Sequence, residues 1–269
     1  MTAMPLSVPH SRLWRDAPVF TGLAIFLAVS ALPVWLALHL DPRAWLDEAI
    51  WLKPLKFQIA LVIYLLTLAF FARYLPAGTT DSRRWRIYVA AVAFTVMGEM
   101  VWIGGAAALG TGSHFNTTTP LWNAIYGLMG LFAAFLTSAS FVMAILIQRN
   151  TATGLDPALK LSIVLGLGLT LPLTLIVAFT MAAGTGHLVG TPVTGLRLPL
   201  MGWSRELGDL RIAHFFGTHA LHAVPLVGWL VAGRLPAPLA RATVILAALA
   251  WVALTFATFA LALMGKPLI

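Results

Sequence analysis

Seven long apolar stretches, separated by short polar segments, dominate the pattern of hydrophobic and polar residues along the chain. Each has roughly 20 residues or more, the length that an α-helix needs to cross about 30 Å of hydrocarbon. The stretches cover residues 18–40, 55–75, 87–109, 121–147, 161–184, 211–232 and 240–264. The pattern predicts an all-α integral membrane protein, a seven-transmembrane-helix bundle that forms a single polytopic membrane domain over residues 1–269.

The polar segment after the first stretch, residues 42–52, is too short and too charged to span a membrane. It carries Trp45 and Trp51 together with Asp47 and Glu48. Tryptophan favours the boundary between lipid and water, and a short amphipathic helix can lie flat in that boundary. We therefore predict a short interfacial helix after the first span, on the outer side of the membrane.

The composition agrees with membrane embedding and excludes several classes of protein. Of the 269 residues, 60% are hydrophobic and only 10% are charged, whereas soluble domains carry about 25% charged residues. This number of charges is too small to cover a water-soluble surface. The main predicted partner is therefore the lipid bilayer, and no nucleic acid is expected. The chain has no cysteine, which excludes disulfides, thiolate metal sites and cysteine nucleophiles.

The distribution of lysine and arginine between the predicted loops sets the orientation, because cytoplasmic loops are enriched in these residues. With the N-terminus inside, ten of the 17 lie in inner segments and seven in outer segments. The largest contrast is between the Arg-Arg-Trp-Arg run at 83–86 and the 111–120 loop, which has neither residue. We predict the N-terminus inside and the C-terminus outside, in the inner (cytoplasmic) membrane of a bacterium.

Ionisable side chains at membrane depth are costly, so each is a candidate functional group. Glu99 lies about 20 Å along the third predicted span from its inner end, at 1.5 Å per residue. His222 lies about 16 Å into the sixth predicted span from its outer end, by the same rise. Both positions are near mid-membrane, so the two side chains would meet if these spans are neighbours.

The sixth predicted span carries three histidines, His214, His219 and His222. At about 100° per residue, His219 and His222 are roughly 60° apart on the helix surface, so their imidazoles can face one metal ion. Neutral imidazole binds zinc, copper, iron and haem iron. The pattern favours a metal ion (iron, copper or zinc) or haem held by His219 and His222. Glu99 and His214 would then serve as catalytic partners, proton acceptors or a further ligand.

Two polar clusters lie at the predicted outer mouth of the bundle. In the loop between the third and fourth spans, His114 and Asn116 can line a cofactor site or simply order the turn before the next helix. Lys53, Lys56 and Gln58 begin the second span, and Arg211 begins the sixth. The cations can steer an anion such as a lipid phosphate, a haem propionate or a carboxylate, or keep their charges in interfacial water. Asp209 can instead neutralise Arg211.

Three segments carry a resemblance to other proteins: LKPLKF at 52–57, SHFN at 113–116 and RIAHFFGTHALH at 211–222. They are similar to segments of a group of uncharacterised bacterial multi-pass membrane proteins with SHFN and RxxHFxGxHAxH-type motifs. The resemblance extends from the second to the sixth predicted span and so covers the better part of the chain. The resemblance implies a shared outward-facing site without indicating its chemistry.

Three functional interpretations remain open at this point. The leading hypothesis is an outward-facing His/Glu site that binds a metal or haem for redox or hydrolytic chemistry on a lipid-soluble or anionic small molecule. The alternative is a proton-coupled transporter in which Glu99 and the span-six histidines form a protonation relay. In the third interpretation, the polar residues only specify helix packing. Only the first makes the chain an enzyme.

Overall fold

The computed structural model describes residues 10–46, 48–184, 186–199 and 201–269, with side chains from residue 12 onward. It is mostly helical. The helices are α1 (His10–Asp16), α2 (Pro18–Leu40), α3 (Leu52–Phe71), α4 (Arg83–Ala108), α5 (Pro120–Arg149), α6 (Pro157–Ala183), α7 (Leu210–Val231) and α8 (Ala237–Leu263). A 3-10 turn, Ala72–Tyr74, extends α3, and the short strands are β1 (Ala44–Trp45), β2 (Glu48–Ala49), β3 (Leu188–Val189) and β4 (Gly208–Asp209).

The predicted all-α, multi-pass membrane architecture is confirmed. Six helices in the described part of the chain are long and apolar enough to cross a membrane: α2, α3 with its 3-10 turn, α4, α5, α6 and α8. The remaining predicted span coincides with α7, which forms a full helix of 22 residues. Three histidines and Arg211 lower the mean hydropathy of α7, so the six spans do not include it.

The chain divides into two compact units, residues 1–139 and 140–269, with the boundary inside α5. In the first unit, α2, α3 and α4 pack together. Their fully buried side chains include Phe20, Leu27, Leu65, Leu68, Val92 and Val96. In the second unit, α6, α7 and α8 pack together. The predicted single domain over residues 1–269 stays a prediction.

Local sequence signals explain where two of these helices begin. The Ser82 hydroxyl accepts a hydrogen bond from the Trp85 amide at 3.2 Å and so caps the start of α4. The Asp156 carboxylate accepts one from the Ala158 amide at 2.8 Å at the start of α6. Pro157 follows as the first residue of α6, where a missing amide hydrogen costs nothing. Side-chain acceptors of this kind satisfy amides that have no partner within the helix.

The predicted interfacial helix at residues 42–52 is wrong, because this segment forms a β-hairpin. β1 pairs antiparallel with β2, with Ala44 opposite Ala49 and Trp45 opposite Glu48. Leu46 in the turn has a φ of 49°, in the left-handed region that a helix cannot use. The sequence signal that was misread is the pair of tryptophans, which favour strands as readily as an interfacial helix.

The side chain of Asp41 binds residues on both sides of this hairpin, Arg43 before β1 and Trp51 after β2. It accepts hydrogen bonds from the Arg43 guanidinium at 2.7 Å and from the Trp51 indole at 2.8 Å. Hydrogen bonds from Arg43 and Trp51 hold the pKa of the Asp41 carboxyl far below its usual range. The Arg43 guanidinium also donates to the Ala108 carbonyl at 3.0 Å, where the partial negative charge at the end of α4 favours a cation. The hairpin is thereby fixed over the end of α4.

Close backbone contact between α6 and α7 organises the second unit. A Cβ atom on Gly166 would lie 2.6 Å from the ring of Pro225 and 2.8 Å from the Ala220 carbonyl oxygen. Gly217 lies against the backbone of Leu173 and Thr174. Small residues permit this approach between membrane helices.

Candidate functional site

Among the described residues of the first unit, Glu99 is the most deeply buried carboxylate. Glu99 lies within the length of α4, and its side chain is only 2% exposed. Neither of its carboxylate oxygens has a hydrogen-bond partner in the described part of the chain. An ionised carboxylate in such surroundings is costly by several kcal/mol, even after the protein relaxes around it. The position therefore favours a group that changes its protonation state or its partner.

Gln58 on α3 lies at the same depth as Glu99. The helical segment that contains Gln58 ends at Tyr74, sixteen residues later, and Glu99 comes sixteen residues after Arg83 at the start of α4. Each is therefore about 24 Å from the end where the two antiparallel helices are joined. Gln58 is 4% exposed, and its Oε1 has no hydrogen-bond partner among the described residues.

A hydroxyl on α2 fixes the orientation of the Gln58 amide. Ser30 Oγ donates to the Leu27 carbonyl at 3.1 Å and so has used its only hydrogen. It can only accept from Gln58, whose Nε2 lies 3.1 Å away. The NH₂ group of Gln58 therefore points to Ser30, and Oε1 points elsewhere as a buried acceptor.

Lys53 is the charged side chain that acts on Glu99. It lies in the first turn of α3, is partly buried, and interacts electrostatically with Glu99 and with Glu48 of the hairpin. Lys56 lies in the next turn of α3 and is also partly buried. Both lysines were predicted to bind an anionic group of a ligand, and this stays a prediction; Lys53 lies within electrostatic range of a carboxylate of the protein itself.

The predicted loop residues His114 and Asn116 have different surroundings. Asn116 is buried and holds the loop together: its Nδ2 donates to the Gly112 carbonyl at 3.1 Å, and its Oδ1 accepts from the Thr118 hydroxyl at 2.7 Å. The ring of His114 packs between Phe57 and Tyr126, at centroid distances of 5.7 and 5.9 Å. Asn116 therefore orders the turn, and His114 lies over the second turn of α3.

Trp102 links this loop to the helix that carries Glu99. It lies three residues after Glu99, on the same side of α4, and its indole donates to the Ser113 carbonyl at 2.8 Å. Phe115 has a φ of 58°, which costs a non-glycine residue about 1–2 kcal/mol. Such strain persists only where the surroundings impose it. The 111–119 loop is thus held in one shape at the hairpin end of the first unit.

In the second unit, the three histidines lie on α7. His219 Nδ1 is 2.7 Å from the Phe215 carbonyl oxygen, and a carbonyl only accepts hydrogen bonds. Nδ1 therefore carries the hydrogen and Nε2 carries the lone pair. The His219 ring stacks on Phe215 at 3.9 Å, and the His222 ring is 5.4 Å from that of His219. The predicted proximity of His219 and His222 is therefore present.

The surroundings of the three histidines bear on whether they bind a metal ion. His214 and His222 are partly buried on the same helix as His219. Among residues 10–46, 48–184, 186–199 and 201–269, no group of three His, Asp or Glu side chains is arranged to hold a metal ion. Glu99 belongs to the first unit and the histidines to the second, so their predicted meeting stays a prediction.

Arg211, predicted to steer an anion, is engaged by an acid of the protein. The buried Asp209 carboxylate, 1% exposed, accepts from the Arg211 guanidinium at 2.6 Å and from the Ser204 amide at 3.0 Å. Arg211 also donates to the Gly202 carbonyl at 2.5 Å. Burial raises the pKa of the Asp209 carboxyl, but the hydrogen bonds and charge of Arg211 outweigh it, and the net pKa is lowered.

Sequence reasoning placed Gln58 beside the two lysines at the start of the second span but did not pair it with Glu99, and it considered Asp209 only as a charge that can neutralise Arg211. Glutamine is uncharged, so it does not stand out in a search for ionisable groups at membrane depth. A count of sixteen residues from each end of the 75–82 loop could have paired Gln58 with Glu99. Asp209 precedes α7 by one residue, and the Asp-Leu-Arg sequence is a recognisable helix start with an internal ion pair.

Comparisons of the chain with protein-family models, with curated proteins and with solved structures give no match. The function therefore has to be argued from the side chains themselves.

Proposed function

We propose that this chain is a proton-translocating, multi-pass membrane protein in which Glu99 is the site of reversible protonation. It keeps Glu99 from the predicted proton-coupled transporter, but it assigns reversible protonation to Glu99 alone and names no transported solute. One observation carries it: the Glu99 carboxylate is 2% exposed, and neither oxygen has a hydrogen-bond partner in the described part of the chain. Carboxylates inside membrane helices are rare and mark ion or substrate pathways, proton relays or counter-ions of a ligand.

Lys53 supports this role because it provides a second protonation-dependent interaction. An ammonium group near a buried carboxylate stabilises the ionised form, whereas burial stabilises the neutral form. The two influences oppose each other at Glu99, so small changes in the surroundings can move the proton. A group held between two states is suited to taking up a proton from one side and releasing it to the other.

The proposed topology has seven spans, with α7 as the sixth and the N-terminus inside the bacterial inner membrane. The length of α7 and its packing against α6 and α8 support a membrane-spanning position. The lysine and arginine distribution supports the orientation. In this arrangement the hairpin and the 111–119 loop lie on the outer side, above Glu99, and the α7 histidines offer further protonatable groups in the second unit.

Proton flux in proteoliposomes tests the proposal. Vesicles with an internal pH-sensitive dye and a potassium diffusion potential report proton entry through the reconstituted chain. We expect flux above that of protein-free vesicles, loss of this excess in Glu99→Gln, and its retention in Glu99→Asp, which keeps the carboxyl group. Wild-type flux equal to that of empty vesicles, or unchanged flux in Glu99→Gln, would show that the proposal is wrong.

Metal or haem binding by His219 and His222 is the second candidate function. It is favoured by the hydrogen bond from His219 Nδ1 to the Phe215 carbonyl, since a metal-binding histidine usually donates its other N–H to such an acceptor. The neighbouring His222 ring provides a second nitrogen ligand, and solvent or substrate would complete the coordination. Such a site would support redox or hydrolytic chemistry on a lipid-soluble molecule.

A further inference from the structure

Two buried groups of the first unit have complementary needs. The carbonyl oxygen of Gln58 is a buried acceptor that receives no hydrogen bond among the described residues. A protonated Glu99 has one O–H donor and needs an acceptor. Since Gln58 and Glu99 lie at the same depth on α3 and α4, which pack against each other, each can supply what the other lacks.

We propose that Glu99 changes hydrogen-bond partner with its protonation state, binding Gln58 when neutral and turning to Lys53 when ionised. In the neutral state the Glu99 O–H donates to Gln58 Oε1. On ionisation the O–H bond breaks, the proton passes to water, and the carboxylate is left to interact with the Lys53 ammonium. This inference rests on the proposed function, because it requires that Glu99 exchange a proton.

The Ser30–Gln58 contact makes Gln58 a positioning residue for this exchange. Ser30 can only accept from the Gln58 amide, so Gln58 cannot turn its NH₂ group toward Glu99 without losing that bond. A glutamine held in this way presents an acceptor and not a donor. It therefore favours a neutral carboxyl as its partner, and it links the state of Glu99 on α4 to α2.

Few other ionisable groups act on Glu99. Lys53 on α3 is the charged group that interacts with it, and Glu48 of the hairpin acts in turn on Lys53. From α2, which also packs on α4, the ionisable side chain is His39 in its last turn. The ionisable groups described at this end of the unit also include Lys56, His114 and the Asp41–Arg43 pair, which fixes the hairpin over the end of α4. Among the described residues, Lys53 is therefore the charged group on which the response of Glu99 depends.

Infrared difference spectra between acidic and alkaline pH test the inference on the reconstituted full chain. The wild type should show a carbonyl band of a protonated carboxyl group, and this band should disappear in Glu99→Gln. In Gln58→Met, which keeps the side-chain length, the band should move to higher frequency because the carboxyl group loses its acceptor. Gln148→Leu, on the exposed end of α5, is the matched control and should leave the band in place.

Each outcome separates the two proposals. A band that persists in Glu99→Gln would refute Glu99 as the protonation site and, with it, the proposed function. A band that is lost in Glu99→Gln but keeps its frequency in Gln58→Met would overturn only the partner exchange. If Gln58→Met does not fold, Ser30→Ala releases the amide and should also shift the band; an unshifted band there overturns the partner exchange equally.

Discussion

Gln58 and Glu99 are 41 residues apart in the sequence, yet they lie at the same depth on two antiparallel helices of one compact unit. Both side chains are buried, and both have oxygens that accept no hydrogen bond in the described part of the chain. Buried polar groups are nearly always paired. The unpaired oxygens of Gln58 and Glu99 at one depth therefore favour a functional site over a role in helix packing alone.

The Asp209–Arg211 pair should be a major source of stability in the second unit. Replacing Asp209 with Asn removes the negative charge of the ion pair and turns one of the two oxygens that accept from Arg211 and Ser204 into an NH₂ donor. We expect a loss of about 3–5 kcal/mol in the free energy of unfolding, measured by reversible unfolding in detergent. Asp16→Asn, which breaks the exposed pair with Arg15, should cost at most about 1 kcal/mol. Equal losses would contradict the role assigned to Asp209.

The same pair predicts a pH dependence of stability. The pKa of the Asp209 carboxyl is lowered in the folded chain, so the pair stabilises the fold above the ordinary pKa of aspartate. This contribution is lost as the pH falls through the lowered, folded-state pKa. The difference in melting temperature between wild type and Asp209→Asn should therefore be constant near neutral pH and shrink in acid. A difference that is the same at every pH would exclude this explanation.

Gly166 should not tolerate a side chain. A methyl group there would meet the Pro225 ring and the Ala220 carbonyl, and such overpacking costs about 1–3 kcal/mol. The matched control is Gly127→Ala in α5, where nothing lies within 4 Å of the added carbon and helix propensity alone should give a small gain. Thermal unfolding of the two variants in the same detergent decides between them; stability of Gly166→Ala equal to wild type would refute the close contact between α6 and α7.

Metal binding at α7 predicts a specific loss on mutation. Elemental analysis of protein purified without a metal-affinity column should find iron, copper or zinc in the wild type but not in His219→Ala/His222→Ala. His39→Ala is the control, because His39 Nδ1 makes the same contact with the carbonyl four residues earlier, at 2.9 Å. Metal content that is absent from the wild type, or unchanged in the double variant, would rule out the second candidate function.

The helices could be predicted from the sequence because long apolar runs have few alternatives in a membrane protein. The predicted span at 18–40 matches α2, and that at 211–232 differs from α7 by one residue at each end. The β-hairpin could not be predicted, because its shape depends on Asp41 binding Arg43 and Trp51 from outside the strands. Contacts of this kind are set by tertiary structure and not by local propensity.

The candidate site was predictable only where charge marked it. Glu99 and Lys53 stand out as ionisable groups at or near membrane depth, and His219 and His222 stand out by their spacing. Gln58 is uncharged, and its role depends on the hydroxyl of Ser30 on α2. The sequence does not show that these two side chains meet. The sequence leaves open whether Arg211 steers an anion or is neutralised by Asp209, since it does not show that Asp209 is buried beside it.

Proton uptake per chain tests most directly whether Glu99 binds and releases a proton. Wild type and Glu99→Gln, reconstituted in the same lipid, are titrated between acidic and alkaline pH, and proton uptake per chain is compared. We expect the wild type to take up one proton more than the variant over this range. Identical titration curves would show that Glu99 does not change its protonation state, and would contradict the proposed proton translocation.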